Sequence, residues 1–183
     1  SPLAGPPLRH CRSRHPAPGD NAPMFYLDLF SALERHRVRY VVVGGLALSL
    51  HGVERSTMDV DLAIALDPSN VAAAIDAFEE LGLVPVAPVK IAEARDPETL
   101  RRWRRDKNMV AFGLRPGKGA GPTVDCLIDL AVPFATLAVN AITKAIGELR
   151  IPIASIEDLI ALKRAAGRAI DLSDIEALGR LRQ

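Results

Sequence analysis

Apolar residues recur at helical spacing through Phe25, Leu29, Phe30 and Leu33, which predicts a helix ending near His36. Val38 to Val43 is a short β-branched run and reads as a buried strand. Leu46 to His51 reads as a short helix, and Met58 to Ala65 as a second strand. Asp67-Pro68 opens a helix through Leu81, because proline suits a first turn, and Gly82 stops it. A short strand over Leu83–Val86, a helix over Pro97–Arg105 and a strand over Asn108–Leu114 follow. The turn-rich segment Arg115 to Pro122 then leads into a core strand, Thr123 to Leu130. Thr143 to Ile153 predicts a hairpin turning at Gly147-Glu148. Ser155-Ile156-Glu157-Asp158 resembles a capping box opening a helix that Gly167 ends, and Leu172 to Leu181 forms a last amphipathic helix. Helices and strands do not alternate regularly. The expected class is therefore α/β (α+β): a mixed sheet flanked by helices, with two C-terminal helices over 155–181.

Ser1 to Pro23 is rich in proline and poor in apolar residues, so residues 1–23 are expected to be a disordered leader before one domain at 24–183. Net charge is +1, which removes any global attraction to polyanions and leaves only local patches. Cys11 and Cys126 are too few for a disulfide framework, and Cys126 lies in an apolar strand as an inert core thiol. No apolar run approaches the roughly 20 residues that span a bilayer, and residues 1–23 lack a signal-like apolar stretch. The cytoplasm is the expected compartment, with no membrane partner.

Chemistry concentrates between Tyr40 and Ile64. Asp59 and Asp61 are two residues apart on a predicted strand, so they share a face. Paired carboxylates repel unless a cation lies between them. Short aspartates on a rigid strand suit the hard oxygen coordination of Mg²⁺. Gly44-Gly45 stands before a helix start, where backbone N–H groups can hold phosphate. A third carboxylate from a neighbouring strand would complete the site, and Asp125 and Asp129 both qualify, sharing a face of Thr123–Leu130. Alone, a D-x-D is a common surface pattern; joined to Gly-Gly at this interval, it favours metal-assisted handling of a nucleoside triphosphate. Arg55 and Thr57 enter the acidic strand, Arg55 as a phosphate clamp and Thr57 as a phosphate contact or a backbone cap. Arg101, Arg102, Arg104, Arg105 and Lys107 surround Trp103, a weak pattern for gripping RNA by charge and stacking. Arg115–Pro122 lacks the Gly-Lys-Ser/Thr ending of a phosphate loop, and His36 and His51 lack zinc-ligand spacing.

In the order GGLALSLHGVERSTMDVDL, VDCLIDL and IEDLIALKRAAGRAIDLSDIEAL, these segments resemble the nucleotidyltransferase-fold superfamily, most closely its AbiEii-type branch associated with bacterial toxin–antitoxin systems. The resemblance implies that Gly44 and Gly45 hold the triphosphate, that Asp59 and Asp61 bind Mg²⁺ (or Mn²⁺), and that Asp125 is the third metal carboxylate and helps activate the acceptor hydroxyl. It implies a phosphate contact for Lys163, counted with the catalytic set, and a nucleotide-site acid at Asp171. One departure stands out: the superfamily's usual turn is Gly-Ser, whose hydroxyl touches phosphate, whereas residue 45 is glycine.

The expected function is a Mg²⁺-dependent nucleotidyltransferase moving an NMP from an NTP to RNA (tRNA among the candidates) or a protein hydroxyl, in the manner of a toxin paired with an antitoxin protein. The alternatives are a catalytically weak or inactive nucleotidyltransferase-fold binding module, motivated by the missing serine, and a metal-dependent phosphohydrolase.

Overall fold

The computed structural model describes residues 22–107, 109–119 and 121–182. The expected leader thus lies outside the described residues, except Ala22 and Pro23, which already belong to a helix. That helix, α1 (Ala22–Arg35), buries Leu29, Phe30 and Leu33, the stripe set by its periodicity. The strands are β1 (Tyr40–Val43), β2 (Val60–Ile64), β3 (Leu83–Pro85), β4 (Ala111–Pro116), β5 (Val124–Leu127), β6 (Ile142–Ile146) and β7 (Leu149–Ile153). The remaining helices are α2 (Gly44–His51), α3 (Pro68–Glu80), α4 (Pro97–Lys107), α5 (Phe134–Asn140), α6 (Ile156–Ala166) and α7 (Ala169–Arg180), with a 3-10 turn over Ile91–Arg95.

One seven-stranded sheet runs in the order β3-β4-β5-β2-β1-β7-β6. β2 pairs antiparallel with β1 and parallel with β5, and β1 is parallel to β7, which gives the mixed sheet expected. On one face, Val60, Leu62, Val124 and Cys126 are buried, and α3 closes over Ile64, Phe112 and Cys126 with Val71, Ile75 and Phe78. Burial and the neighbouring Asp125 push the Cys126 thiol far up, as befits an inert core residue. The alternate positions Asp61, Asp125 and Leu127 are less uniformly covered and form the opposite face. Among the described residues no helix is long and apolar enough to cross a membrane.

Several elements differ from expectation. α2 starts at the glycines themselves, not at Leu46, and β2 starts at Val60, leaving Asp59 just outside the ladder. β5 ends at Leu127, so Asp129 lies beyond it. α7 starts at Ala169, because the Asp171 side chain accepts from the Arg168 N–H and caps the helix earlier. The helix α5 was not expected from the sequence: at seven residues it is too short for a sustained period, though it buries Leu137 and packs Phe134 against the core. Trp103 does not face solvent. It is buried and stacks on Phe112 with ring centroids 5.5 Å apart, so it offers no platform to an RNA base. Two of its flanking arginines pair locally, Arg101 with Glu98 and Arg105 with Asp106.

Candidate active site

Four elements build the site. β1 runs into Gly44, whose φ of +63° bends the chain into α2 at a position that a side chain would strain. A Cβ built there would fall 1.8 Å from Asp61 Oδ2, so the absent side chain is what admits the carboxylate to the bend. Asp61 stands opposite Val43 across the antiparallel ladder and beside Asp125 across the parallel one. These registers place both aspartates on the partly covered face. On the next strand Gly113 stands beside Asp125, and a Cβ there would come within 3.0 Å of Asp125 Oδ1.

The electrostatics are those of crowded carboxylates. Burial, then repulsion from Asp125 and Asp59, pushes the Asp61 carboxyl up to about 6, against the opposing pull of Lys163 and of the Gly45 N–H that it accepts from. Asp125 is raised for the same reasons, burial first and then Asp59. Asp59 is exposed and accepts a 2.7 Å hydrogen bond from Thr123 Oγ1. The three acids lie close enough to repel, yet among the described residues no three His, Cys, Asp or Glu side chains close into a metal cage. Their chemistry fits a hard divalent cation: all-oxygen donors and an uncompensated negative charge, with the closest carboxylate held in a cradle that a Cβ would fill. Asp129 is exposed and pairs with Arg104 Nη2 at 2.7 Å, and it lines the same cleft as Gly44 and Asp61 without standing in register with Asp61.

A cleft of about 530 Å³ opens beside Gly44 and Asp61, lined by Leu127, Leu130, Leu159 and Leu162 with Lys163 and Arg168. A second, of about 410 Å³, lies on the far side of Asp125 against Val86, Met109, Gly113 and Thr123. The carboxylates therefore stand between two hollows, one bordered by cations and one with no cation among the described residues that line it.

Lys163 belongs to a buried ion network. Its Nζ is 3.1 Å from Asp171 Oδ1 and 2.7 Å from Asp174 Oδ2, with all three side chains at most 6% exposed. Burial alone would raise Asp171, but hydrogen bonds from the Arg168 side chain and backbone and from Lys163 outweigh it and hold the carboxyl down to about 2. Asp171 thus meets Lys163 but not the cleft wall. Asp174 also receives Arg55 Nη1 at 2.5 Å, so one acid on α7 ties down both cations assigned to phosphate. It was not expected from the sequence, because its partners Lys163 and Arg55 lie on other elements. Replacing Asp174 with alanine is expected to cost about 3–5 kcal/mol, because Lys163 and Arg55 would lose a buried partner; urea unfolding measures it.

The fold recurs in solved structures. ANT(2'')-Ia in complex with adenylyl-2''-tobramycin aligns with a TM-score of 0.53 at 12% identity, covering 89% of this chain and 90% of that one. An antigenic nucleotidyltransferase-like protein from Paracoccidioides brasiliensis gives 0.52 at 17%, covering 89% and 77%. The lincosamide antibiotic adenylyltransferase LnuA, lincomycin-bound, gives 0.50 at 15%, covering 88% and 97%. No curated protein matches the chain. The architecture is that of a nucleotidyltransferase. Residues 28–173 match the family described as nucleotidyl transferase AbiEii toxin, type IV TA system, and the chain belongs to that family of nucleotidyltransferases.

Proposed function

We propose that this nucleotidyltransferase uses Mg²⁺ (or Mn²⁺) and moves an NMP from an NTP to a hydroxyl of RNA, tRNA included, or of a protein. The observation that carries the reading is the registered pair Asp61–Asp125 directly in front of the Gly44–Gly45 bend. Asp59, Asp61 and Asp125 would hold the divalent cation. Such an ion, when bound, neutralises phosphate oxygens and stabilises the charge that develops on the departing pyrophosphate.

The chain's own groups divide the remaining work. The cleft with Lys163 and Arg168 suits the triphosphate and its base, whose apolar faces would meet Leu127, Leu159 and Leu162. Lys163 offers its remaining hydrogen-bonding capacity to phosphate, with Asp171 and Asp174 as the residues that position it. The hollow beyond Asp125 suits the acceptor. Asp125 takes the hydroxyl proton, the freed oxygen attacks the α-phosphorus, and the bond to the bridging oxygen breaks to release pyrophosphate. A carboxylate whose pKa is raised is the better base for that step. As an AbiEii-family protein it is proposed to act in the cytoplasm, opposed by an antitoxin.

Incubation with NTPs labelled at the α-phosphate, Mg²⁺, and cellular RNA or protein fractions tests the reading. Label should move to one fraction with release of pyrophosphate. Asp59→Ala should lose activity by about 10²–10³-fold, the scale of removing one preorganised electrostatic partner. Equal transfer by wild type and by Asp59→Ala would overturn it.

A further inference from the structure

The second residue of the bend is glycine, so residue 45 brings no side chain to the space before α2. Another residue fills that space. A Cβ built on Gly45 would meet Thr57 Oγ1 at 2.9 Å, Thr57 Cβ at 3.0 Å and Arg55 Nε at 3.3 Å. Thr57, from the loop before β2, therefore occupies the volume of the missing side chain and places a hydroxyl in it.

The groups around that point are short of partners. The Thr57 hydroxyl makes one long contact, 3.4 Å to the Asp59 carbonyl. Arg55 Nε is buried with no hydrogen-bond partner among the described residues, while Nη1 of the same guanidinium is anchored on Asp174 at 2.5 Å. The start of α2 has no side-chain cap among those residues. An unsatisfied buried donor is costly, and an anion arriving here would relieve Arg55 Nε while taking up the weakly used Thr57 hydroxyl.

We propose that Thr57 supplies the phosphate-binding hydroxyl that Gly45 lacks, donating to a non-bridging oxygen of the NTP with Arg55 held alongside by Asp174. The proposal rests on the reading of Gly44–Gly45 as the triphosphate bend. It explains how a Gly-Gly turn keeps the hydroxyl that a Gly-Ser turn would carry. The two positions share one volume, so a side chain at residue 45 would have to displace that of Thr57.

A fluorescent ATP analogue titrated with Mg²⁺ present, with melting curves to confirm folding, tests it. Thr57→Val keeps the shape and loses the hydroxyl, and should weaken binding at least about tenfold, the scale of one hydrogen bond to a charged group. Thr57→Ser should bind within about threefold of wild type, since it keeps that hydrogen bond. Thr57→Gly should bind weakly, and adding Gly45→Ser to it should restore most of the affinity by moving the hydroxyl across the shared space. Nucleotide binding unchanged in Thr57→Val overturns this proposal alone. A folded wild type that binds no NTP overturns the phosphate bend beneath it, and the proposal with it.

Discussion

Replacing Asp61 with asparagine is expected to leave the enzyme inactive and make its metal-free form harder to unfold. The two effects share one cause. The folded chain holds the Asp61 carboxyl at about 6, above its ordinary 3.8, through burial and the charges of Asp125 and Asp59. The folded state therefore binds this proton more tightly than the unfolded state does. The favourable contribution is present at low pH and is lost as pH climbs from about 4 to about 6. A shift of this size corresponds to about 3 kcal/mol. The asparagine amide keeps the shape and can still accept from the Gly45 N–H, but it carries no charge to be crowded. Metal-free Asp61→Asn should melt higher than wild type at pH 7.5 and no higher at pH 4, and its transferase activity should fall by about 10²–10³-fold. Scanning calorimetry at the two pH values, beside the label-transfer assay, checks both halves. Divalent cation should raise the melting temperature of wild type above pH 6 and not that of the variant.

Gly44→Ala is expected to be the most damaging single methyl addition in the site. A non-glycine residue at φ +63° costs about 1–2 kcal/mol by itself. The new Cβ would also fall 1.8 Å from Asp61 Oδ2 and 2.6 Å from its Cγ, which forces the carboxylate out of the bend and breaks its bond to the Gly45 N–H. The hairpin glycine Gly147 supplies the control, since its φ is +59° and a Cβ there meets nothing within 4 Å. Gly147→Ala should show only the backbone cost and retain activity. Gly44→Ala should lose about 3 kcal/mol or more and nearly all transfer, combining backbone strain with the loss of a hydrogen bond to a charged group. Urea midpoints for the two variants separate strain from collision.

The centre of the site was legible because its signals are local. A β-branched run, two glycines and alternating aspartates fall within Tyr40–Ile64, and period two places the acids on one face without any long-range information. The parallel pairing of β2 with β5 is a different matter. Residues 61 and 125 become neighbours only through strand order, and neither hydrophobic pattern nor spacing encodes that order. Asp125 and Asp129 were equivalent by periodicity; they separate only because β5 ends at Leu127, which leaves Asp125 in register with Asp61 and Asp129 on the cleft wall paired with Arg104. Asp174 was invisible for a similar reason, since its partners Lys163 and Arg55 come from other elements. Trp103 misled because the cationic residues beside it in sequence are exposed while its own ring packs on Phe112. Gly45 looked like a missing hydroxyl until folding brought Thr57 into its space.

The claim on which all of this turns is that Asp59, Asp61 and Asp125 hold a divalent cation in front of the Gly44–Gly45 bend. Electron paramagnetic resonance of Mn²⁺ with a non-hydrolysable NTP measures it directly, in wild type and in Asp61→Asn. Wild type should take up Mn²⁺ together with the nucleotide, and the variant, although folded, should leave the ion free in solution. Equal Mn²⁺ binding by the two proteins would contradict it.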